Sequence, residues 1–304
     1  MRAAVIDIGT NTFHLIIADL SVAEVNVVYK TNVPVKLGEG RLNDNIIIPE
    51  AFERGINTLK DFSTTIASYE VDVVKATATS AVRNAKNKAE FTAAALAQAS
   101  ITIEVISGDE EAAYIFNGVK AAGVLQDTSL IMDIGGGSTE FIICTPEQVL
   151  WKKSYDIGAA RLLQAYFKSD PISTQDQHNI LSRLHEELTD LKQACAQYKP
   201  IALIGSAGAF ETFAGLLNKN LDVQNLTYAP INLKAYKDLA AMLVCSTHEE
   251  RANLKGLIPL RVDLIVIATI ITNYVLDMLK LESLYVCTYD LKMGVLHSLK
   301  QVSH

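Results

Sequence analysis

Twice in this chain an apolar strand runs into Asp-Ile-Gly: "IMDIGGGSTEFII", Ile131–Ile143, and "VIDIGTNTFHLII", Val5–Ile17. Laid in register, Asp7 falls on Asp133, Gly9 on Gly135, Thr12 on Ser138, and Leu15-Ile16-Ile17 on Phe141-Ile142-Ile143. Each stretch reads as strand, glycine-containing turn and strand, the pattern of a β-hairpin. Recurrence of the whole pattern points to a duplicated unit.

The elements after each hairpin repeat as well. Strands "AAVIDIG" and "FHLIIADL" lead to a third, "VNVVYKTNVPVKLG". A helix follows over Pro49 to Tyr69, with Phe52, Ile56, Leu59 and Phe62 at helical spacing. Then come strand "VDVVKATAT", a second helix from Ser80, which is suited to capping, strand "ITIEVI" and a third helix near Ser107. After a junction at Ala121 to Ser129 the order restarts. "SLIMDIGGG", "TEFIICTP" and "VLWKKSYDIG" reproduce the opening strands, and Gly158 stands where the first copy has Gly38. A long amphipathic helix, Thr174 to Tyr198, carries Ile180, Leu184, Leu188 and Leu191 on one face. Strand "PIALIG", a helix after "SAGAF", strand "SLYVCTYD" and a closing helix complete the chain. The pattern predicts an α/β protein of two lobes, residues 1–124 and 125–304, with the last helix a candidate to return to the first. Two such lobes facing each other would set both hairpin turns across one cleft.

Composition narrows the class. A chain of 304 residues, 49% hydrophobic and 20% charged, can bury the cores of two domains. The net charge of -7, with no block of five or more basic residues, argues against nucleic acid or a membrane surface as partner. Cys144, Cys195, Cys245 and Cys287 have no paired spacing and read as buried thiols of a reducing cytosol. "MRAAVIDIG" passes straight into a strand pattern, so no signal peptide is expected. The apolar stretch "LIVIATIITNYVLDML" is interrupted by Asn273 and Asp277, short of the roughly 20 apolar residues a membrane span needs, and is expected to be a core helix. A cytoplasmic location is expected.

A strand ending in Asp-x-Gly, with a turn of Gly, Ser and Thr, offers backbone N–H groups and hydroxyls to an anion. Asp133 and Asp7 at the strand ends would repel a phosphate unless a cation intervened, so Mg²⁺ held by Asp133 with help from Asp7 is the expected companion. The plainer account is a tight hairpin that needs these residues only for its turn. In "ISGDEEA", Ser107 to Glu110 fits an S-x-x-E capping box, which explains Glu110 and leaves Glu111 over. Glu111 is then either a first-turn acid favoured by the helix dipole or a general base for a water attacking phosphorus. Arg83, in the first turn after Ser80, sits where that dipole disfavours a cation. It either turns to solvent or shares an anion with the helix terminus. Glu140 and His14 occupy matching first positions after the two turns, and each also suits an ordinary strand role. "LIGSAGAF", which contains Gly208, is a weaker anion or nucleotide candidate.

In order, "DIGTNTFHL", "LGEG", "ATSAVRNA", "ISGDEEA", "DIGGGSTEF" and "GSAGA" resemble the exopolyphosphatase and guanosine pentaphosphate phosphatase (PPX/GppA) family. The resemblance covers nearly the whole chain and is strongest up to about residue 161. It implies two duplicated ribonuclease H-like lobes of the actin, sugar kinase and heat-shock chaperone superfamily, with an interlobe cleft. It also implies Mg²⁺-dependent hydrolysis of a terminal phosphoanhydride, in inorganic polyphosphate or at the 5′ end of guanosine pentaphosphate. By position, Glu111 matches the catalytic glutamate, Asp133 the metal-associated aspartate, Glu140 a carboxylate that helps place metal or water, and Arg83 a phosphate-binding arginine. Thr10, Asn11 and Thr12 match one phosphate loop, and Gly135 to Thr139, with Gly136, Gly137, Ser138 and Thr139, the other. The short, two-domain type is implied, and a homodimer is expected because dimers are common among relatives.

There are departures. Ala209 stands where the family often has Thr, and "DLKMG", Asp290 to Gly294, replaces the usual Gly-Leu-Arg-Glu-Gly. Contacts from those turns are therefore not carried over. The acidic net charge opposes a polyanionic substrate. At about 0.15 M salt the Debye length is near 8 Å, so Arg83, Arg161 and the helix ends outweigh total charge. Two other classes compete. A kinase of the same superfamily would use "GSAGAF" for adenosine and an aspartate base, and a non-catalytic nucleotide or polyphosphate sensor is suggested by the altered C-terminal turn.

Overall fold

The computed structural model describes residues 1–302 apart from 23, 207, 220 and 224. The chain divides into two compact units, Met1–Gly118 with Leu291–His304, and Val119–Asp290. Strands β1 (Arg2–Ile8), β2 (Phe13–Leu20) and β3 (Val25–Val33) open the first, followed by α1 (Pro49–Ser68), β4 (Val73–Ala78), α2 (Ser80–Asn84), α3 (Lys88–Ala99), β5 (Ile103–Val105) and α4 (Gly108–Ala121). The sheet order is β3-β2-β1-β4-β5, antiparallel through the hairpins and parallel across β1, β4 and β5. Ala3 to Ile6 of central β1 are fully buried, as a strand covered on both faces requires.

The second unit repeats the order. It contains β6 (Ser129–Ile134), β7 (Thr139–Cys144), β8 (Val149–Tyr155), α5 (Ala159–Tyr166), α6 (Thr174–Glu187), α7 (Thr189–Tyr198), β9 (Ala202–Ser206) and α8 (Gly208–Leu217). Next come β10 (Tyr228–Ile231), α9 (Leu233–Cys245), α10 (His248–Ala252), α11 (Leu264–Leu279) and β11 (Ser283–Cys287). The chain then ends in α12 (Leu291–Val302), which packs on β1 and β2 of the first unit. Its Gly294 is a packing requirement, since a Cβ there would lie 1.7 Å from the Tyr114 carbonyl oxygen of α4. In the second sheet, β10-β11-β9-β6-β7-β8, the run β8-β7-β6-β9 matches β3-β2-β1-β4 strand for strand. This is the ribonuclease H-like arrangement, present twice.

Two expected helices are each broken in two. The helix from Ser80 ends at Asn84 because Ala85 is extended and the Lys86 N–H is held by the Asn45 carbonyl at 2.8 Å. Ser80 is not its cap. Thr79 takes that place, and the buried Ser80 hydroxyl has no hydrogen-bond partner among the described residues. The helix expected over Thr174 to Tyr198 breaks at Leu188, after which Asp190 is drawn to the Tyr155 hydroxyl and Lys153, each at 2.5 Å. The predicted stripe of Ile180, Leu184, Leu188 and Leu191 is nevertheless fully buried. Strand β10 went unread because Pro230 lies within it, and an edge strand tolerates proline. Cys144, Cys195 and Cys287 are buried as expected, but Cys245 is exposed. Helix α11 is the expected core helix, and among the described residues no helix is long and apolar enough to cross a membrane.

One buried cation organises the approach to α11. Arg251 of α10 is 0% exposed and donates from Nε to the Val262 carbonyl at 2.7 Å, from Nη1 to the Ser246 carbonyl, and from Nη2 to Asp263 at 2.8 Å and Asp170 at 3.3 Å. The guanidinium also lies over the Phe167 ring, 5.9 Å from its centroid. Three segments distant in sequence are thereby tied, among them the turn that carries Arg261. Replacing Arg251 by Ala should cost about 3 kcal/mol, the low end for a broken buried pair because both aspartates reach solvent. Denaturant unfolding would measure it, and a loss under 1 kcal/mol (about one ordinary hydrogen bond) would deny Arg251 this role.

Candidate active site

In the second unit the turn between β6 and β7 is held from one side. Ala159 N–H donates to the Gly135 carbonyl at 2.9 Å, Ala160 N–H to Gly136 at 2.9 Å, and Gly158 N–H to Gly137 at 3.3 Å. Arg161 adds its backbone N–H to Gly136 at 3.1 Å and its Nε to Gly137 at 2.9 Å. A trans peptide points its C=O and the next N–H in opposite directions. With three successive carbonyls drawn toward α5, the N–H groups of Gly136, Gly137 and Ser138 are turned away from it. Successive N–H groups so aligned form an anion-binding nest. Close approach makes this arrangement dependent on Gly158, where a Cβ would sit 2.5 Å from backbone atoms of Gly136 and Gly137.

The first unit reaches a similar geometry with other partners. Gly38 N–H donates to the Thr10 carbonyl at 3.0 Å and Lys36 N–H to that of Asn11 at 2.8 Å, which turns the Asn11 and Thr12 N–H groups the other way. Gly38 is the counterpart of Gly158, with Thr10 Cγ2 2.5 Å from where its Cβ would be. Thr10 is buried, so its methyl serves as support for the loop. In the second unit Thr139 is also fully buried, and its hydroxyl donates to the Ile157 carbonyl at 3.1 Å. It thereby pins the hairpin to the connection before α5.

Asp133 and Glu140 are direct cross-strand partners on β6 and β7, as Asp7 and His14 are on β1 and β2. Glu140 is only 1% exposed, and it accepts the Ser154 hydroxyl at 2.7 Å. Asp133 accepts the Ser206 hydroxyl at 3.2 Å. Back in the first unit, the capping box forms as expected. Glu110 Oε2 accepts the Ser107 N–H at 2.8 Å and the Ser107 hydroxyl accepts the Glu110 N–H at 3.2 Å. Glu111, left over by that box, is 7% exposed and paired with Arg83 Nη1 at 2.7 Å. Of the two readings of Arg83, the turn to solvent is overturned. With α2 only five residues long, Arg83 lies in its last turn, where a cation is favoured, and it faces Glu111 and the Ile106 carbonyl at 3.2 Å instead of solvent.

Gly208 opens α8, and the Arg261 guanidinium lies 3.4 Å from where its Cβ would be. Arg261 also donates to the Thr212 hydroxyl at 2.8 Å. Sequence reasoning missed Arg261, Ser154, Ser206 and the loop-tying role of Arg161. The serines lie on other strands than the two carboxylates and meet them only through the register of the sheet. Burial pushes the Cys287 thiol up to about 12, as it does those of Cys144 and Cys195, which leaves these thiols unsuited to nucleophilic chemistry.

The chain is similar to known proteins over nearly its whole length. The model of the Ppx/GppA phosphatase family matches residues 16–302. The crystal structure of an exopolyphosphatase from Cytophaga hutchinsonii is 36% identical with a TM-score of 0.96, over 99% of this chain and 98% of that one. The Aquifex aeolicus PPX-GPPA enzyme is 27% identical with a TM-score of 0.82, over 98% and 99% of the two chains. The guanosine-5′-triphosphate,3′-diphosphate pyrophosphatase of Pseudoalteromonas atlantica is 34% identical over 174 residues, 57% of this chain and 34% of its own. The chain belongs to the Ppx/GppA phosphatase family.

Proposed function

We propose that this protein hydrolyses a terminal phosphoanhydride, releasing orthophosphate from inorganic polyphosphate or from the 5′ end of guanosine pentaphosphate. The observation that carries the reading is the run of N–H groups at Gly136, Gly137 and Ser138, aimed by the ties of their preceding carbonyls to α5. Such donors suit phosphate oxygens and cost no reorganisation when charge builds up on them. The names of the relatives, exopolyphosphatase and guanosine-5′-triphosphate,3′-diphosphate pyrophosphatase, support the substrate class.

Phosphoryl transfer asks a protein chiefly for positioning and charge stabilisation. The loops Thr10–Asn11–Thr12 and Gly136 to Thr139 bind phosphate, the first through the N–H groups of Asn11 and Thr12 and the second through those of Gly136, Gly137 and Ser138. Glu111 takes the proton of the attacking water, and Arg83, 2.7 Å away, aims its carboxylate. Asp133, with Glu140 beside it, offers the hard oxygen donors that Mg²⁺ prefers, and Asp7 holds the corresponding place in the first unit. Among the described residues no group of three or more His, Cys, Asp or Glu is placed to hold a metal ion by itself. When bound, Mg²⁺ would neutralise phosphate charge. A cytoplasmic homodimer belongs to the same proposal, and light scattering would test the dimer.

Glu111→Gln should lower turnover at least about 100-fold on both polyphosphate and guanosine pentaphosphate, the ordinary worth of a general base. Phosphate release measures it, and equal rates for variant and wild type would remove Glu111 from the mechanism. Gly158→Ala tests the loop. Its new methyl meets backbone of Gly136 and Gly137, which has nowhere to go, whereas Gly38→Ala meets a side-chain methyl of Thr10. Gly158→Ala should therefore lose activity on the order of 100-fold through a displaced loop, and more than Gly38→Ala. Kinetics of the two variants with thermal melts would decide, and the reverse ranking would sink this account.

A further inference from the structure

The register of the second sheet sets Ser206, Asp133, Glu140 and Ser154 side by side across β9, β6, β7 and β8. Partners across a ladder share one face, so the four side chains form a continuous polar row. Its middle members are carboxylates directly opposite each other, an arrangement that repulsion disfavours. Its outer members are serines, and each spends its only hydroxyl proton inward, Ser154 on Glu140 Oε1 at 2.7 Å and Ser206 on Asp133 Oδ2 at 3.2 Å. Ser206 and Glu140 are each 1% exposed, so water does not easily replace the contacts.

We infer that Ser154 and Ser206 are positioning residues for the hydrolysis, the two clamps that set the rotamers of the facing carboxylates. The inference rests on the reading that Glu140 and Asp133 serve the reaction. Two opposed carboxylates left to themselves would rotate apart, each about a soft terminal torsion. A charge-assisted hydrogen bond from the flanking strand restricts that rotation and fixes which oxygen faces the neighbour. Ser154 itself needs no contact with substrate. A displacement of about 1 Å in such a group costs on the order of 100-fold in rate.

The test is a set of variants assayed for phosphate release from polyphosphate and guanosine pentaphosphate, with thermal melts on each. Ser154→Ala should lower kcat about tenfold and move KM less than about twofold, and Ser154→Thr, which keeps the hydroxyl, should recover most of the loss. In a Glu140→Gln background Ser154→Ala should subtract nothing more, because the group it positions is already gone. Ser206→Ala should behave alike and be silent in a Asp133→Asn background. Ser154→Ala and Ser206→Ala turning over at the wild-type rate while Glu140→Gln is impaired would overturn the positioning role. So would a loss from Ser154→Ala that persists in full beside Glu140→Gln. Wild-type turnover in Glu140→Gln would overturn the reading beneath the inference, and Ser154's role with it.

Discussion

Carbonyls of three consecutive glycines are turned toward one helix, and the chemistry proposed for the second unit depends on it. A free glycine turn samples many conformations and points its donors nowhere in particular. Here the α5 N-terminus takes up the carbonyls of Gly135, Gly136 and Gly137, and planarity of the peptide does the rest. The arrangement satisfies two needs at once. The first N–H groups of a helix need acceptors from outside it, and a phosphate loop needs its donors aimed outward. Arg161 secures the loop from its side chain as well as its backbone, so a cation near the phosphate site works partly through a carbonyl.

Duplication kept the geometry but changed the partners. The first-unit turn is held by Lys36 and Gly38 in the segment after β3, where the second uses α5. Carried across the sheet, the first unit's row reads Thr77, Asp7, His14 and Asn32, against Ser206, Asp133, Glu140 and Ser154. The aspartate is common to both. Only the second unit sets a second carboxylate beside it, and there the flanking serines donate inward. Thr77 instead donates to the Ile6 carbonyl at 3.3 Å. The row thus became a carboxylate site in one unit while its counterpart took a basic ring.

What could be read from the residues follows the range of the forces involved. The hairpins, the capping box at Ser107 and the buried stripe on α6 and α7 are local, written in spacings of a few residues. Both helix breaks escaped because their causes are remote: the chain at Lys86 is held by Asn45, and Asp190 is held by Lys153 and Tyr155. The Arg83–Glu111 pair joins residues 28 apart in sequence, and no local pattern announces it. Each was singled out alone, Glu111 as surplus to the capping box and Arg83 as a cation in an unfavourable turn. That turn proved to be favourable, so Arg83 was noticed for a reason the fold removes. Gly208 and the loop around it stayed weak as a signal because its neighbour Arg261 arrives from the turn that Arg251 ties down.

The two units treat their carboxylates differently, and the difference bears on a protein of net charge -7 acting on a polyanion. A guanidinium both orients a carboxylate and cancels its charge, whereas a hydroxyl orients it and leaves the charge in place. Glu111 receives the first treatment, which suits a group that handles a proton close to phosphate, where a bare negative charge would repel the substrate. Asp133 and Glu140 each accept a serine hydroxyl, an orientation that suits the cation seat proposed for them. Full neutralisation by arginine at Asp133 would compete with Mg²⁺, and bare orientation by serine at Glu111 would keep the phosphate away. On the roles proposed for them, the choice of partner follows the charge of what each carboxylate has to meet, a proton at Glu111 and a divalent ion at Asp133 and Glu140.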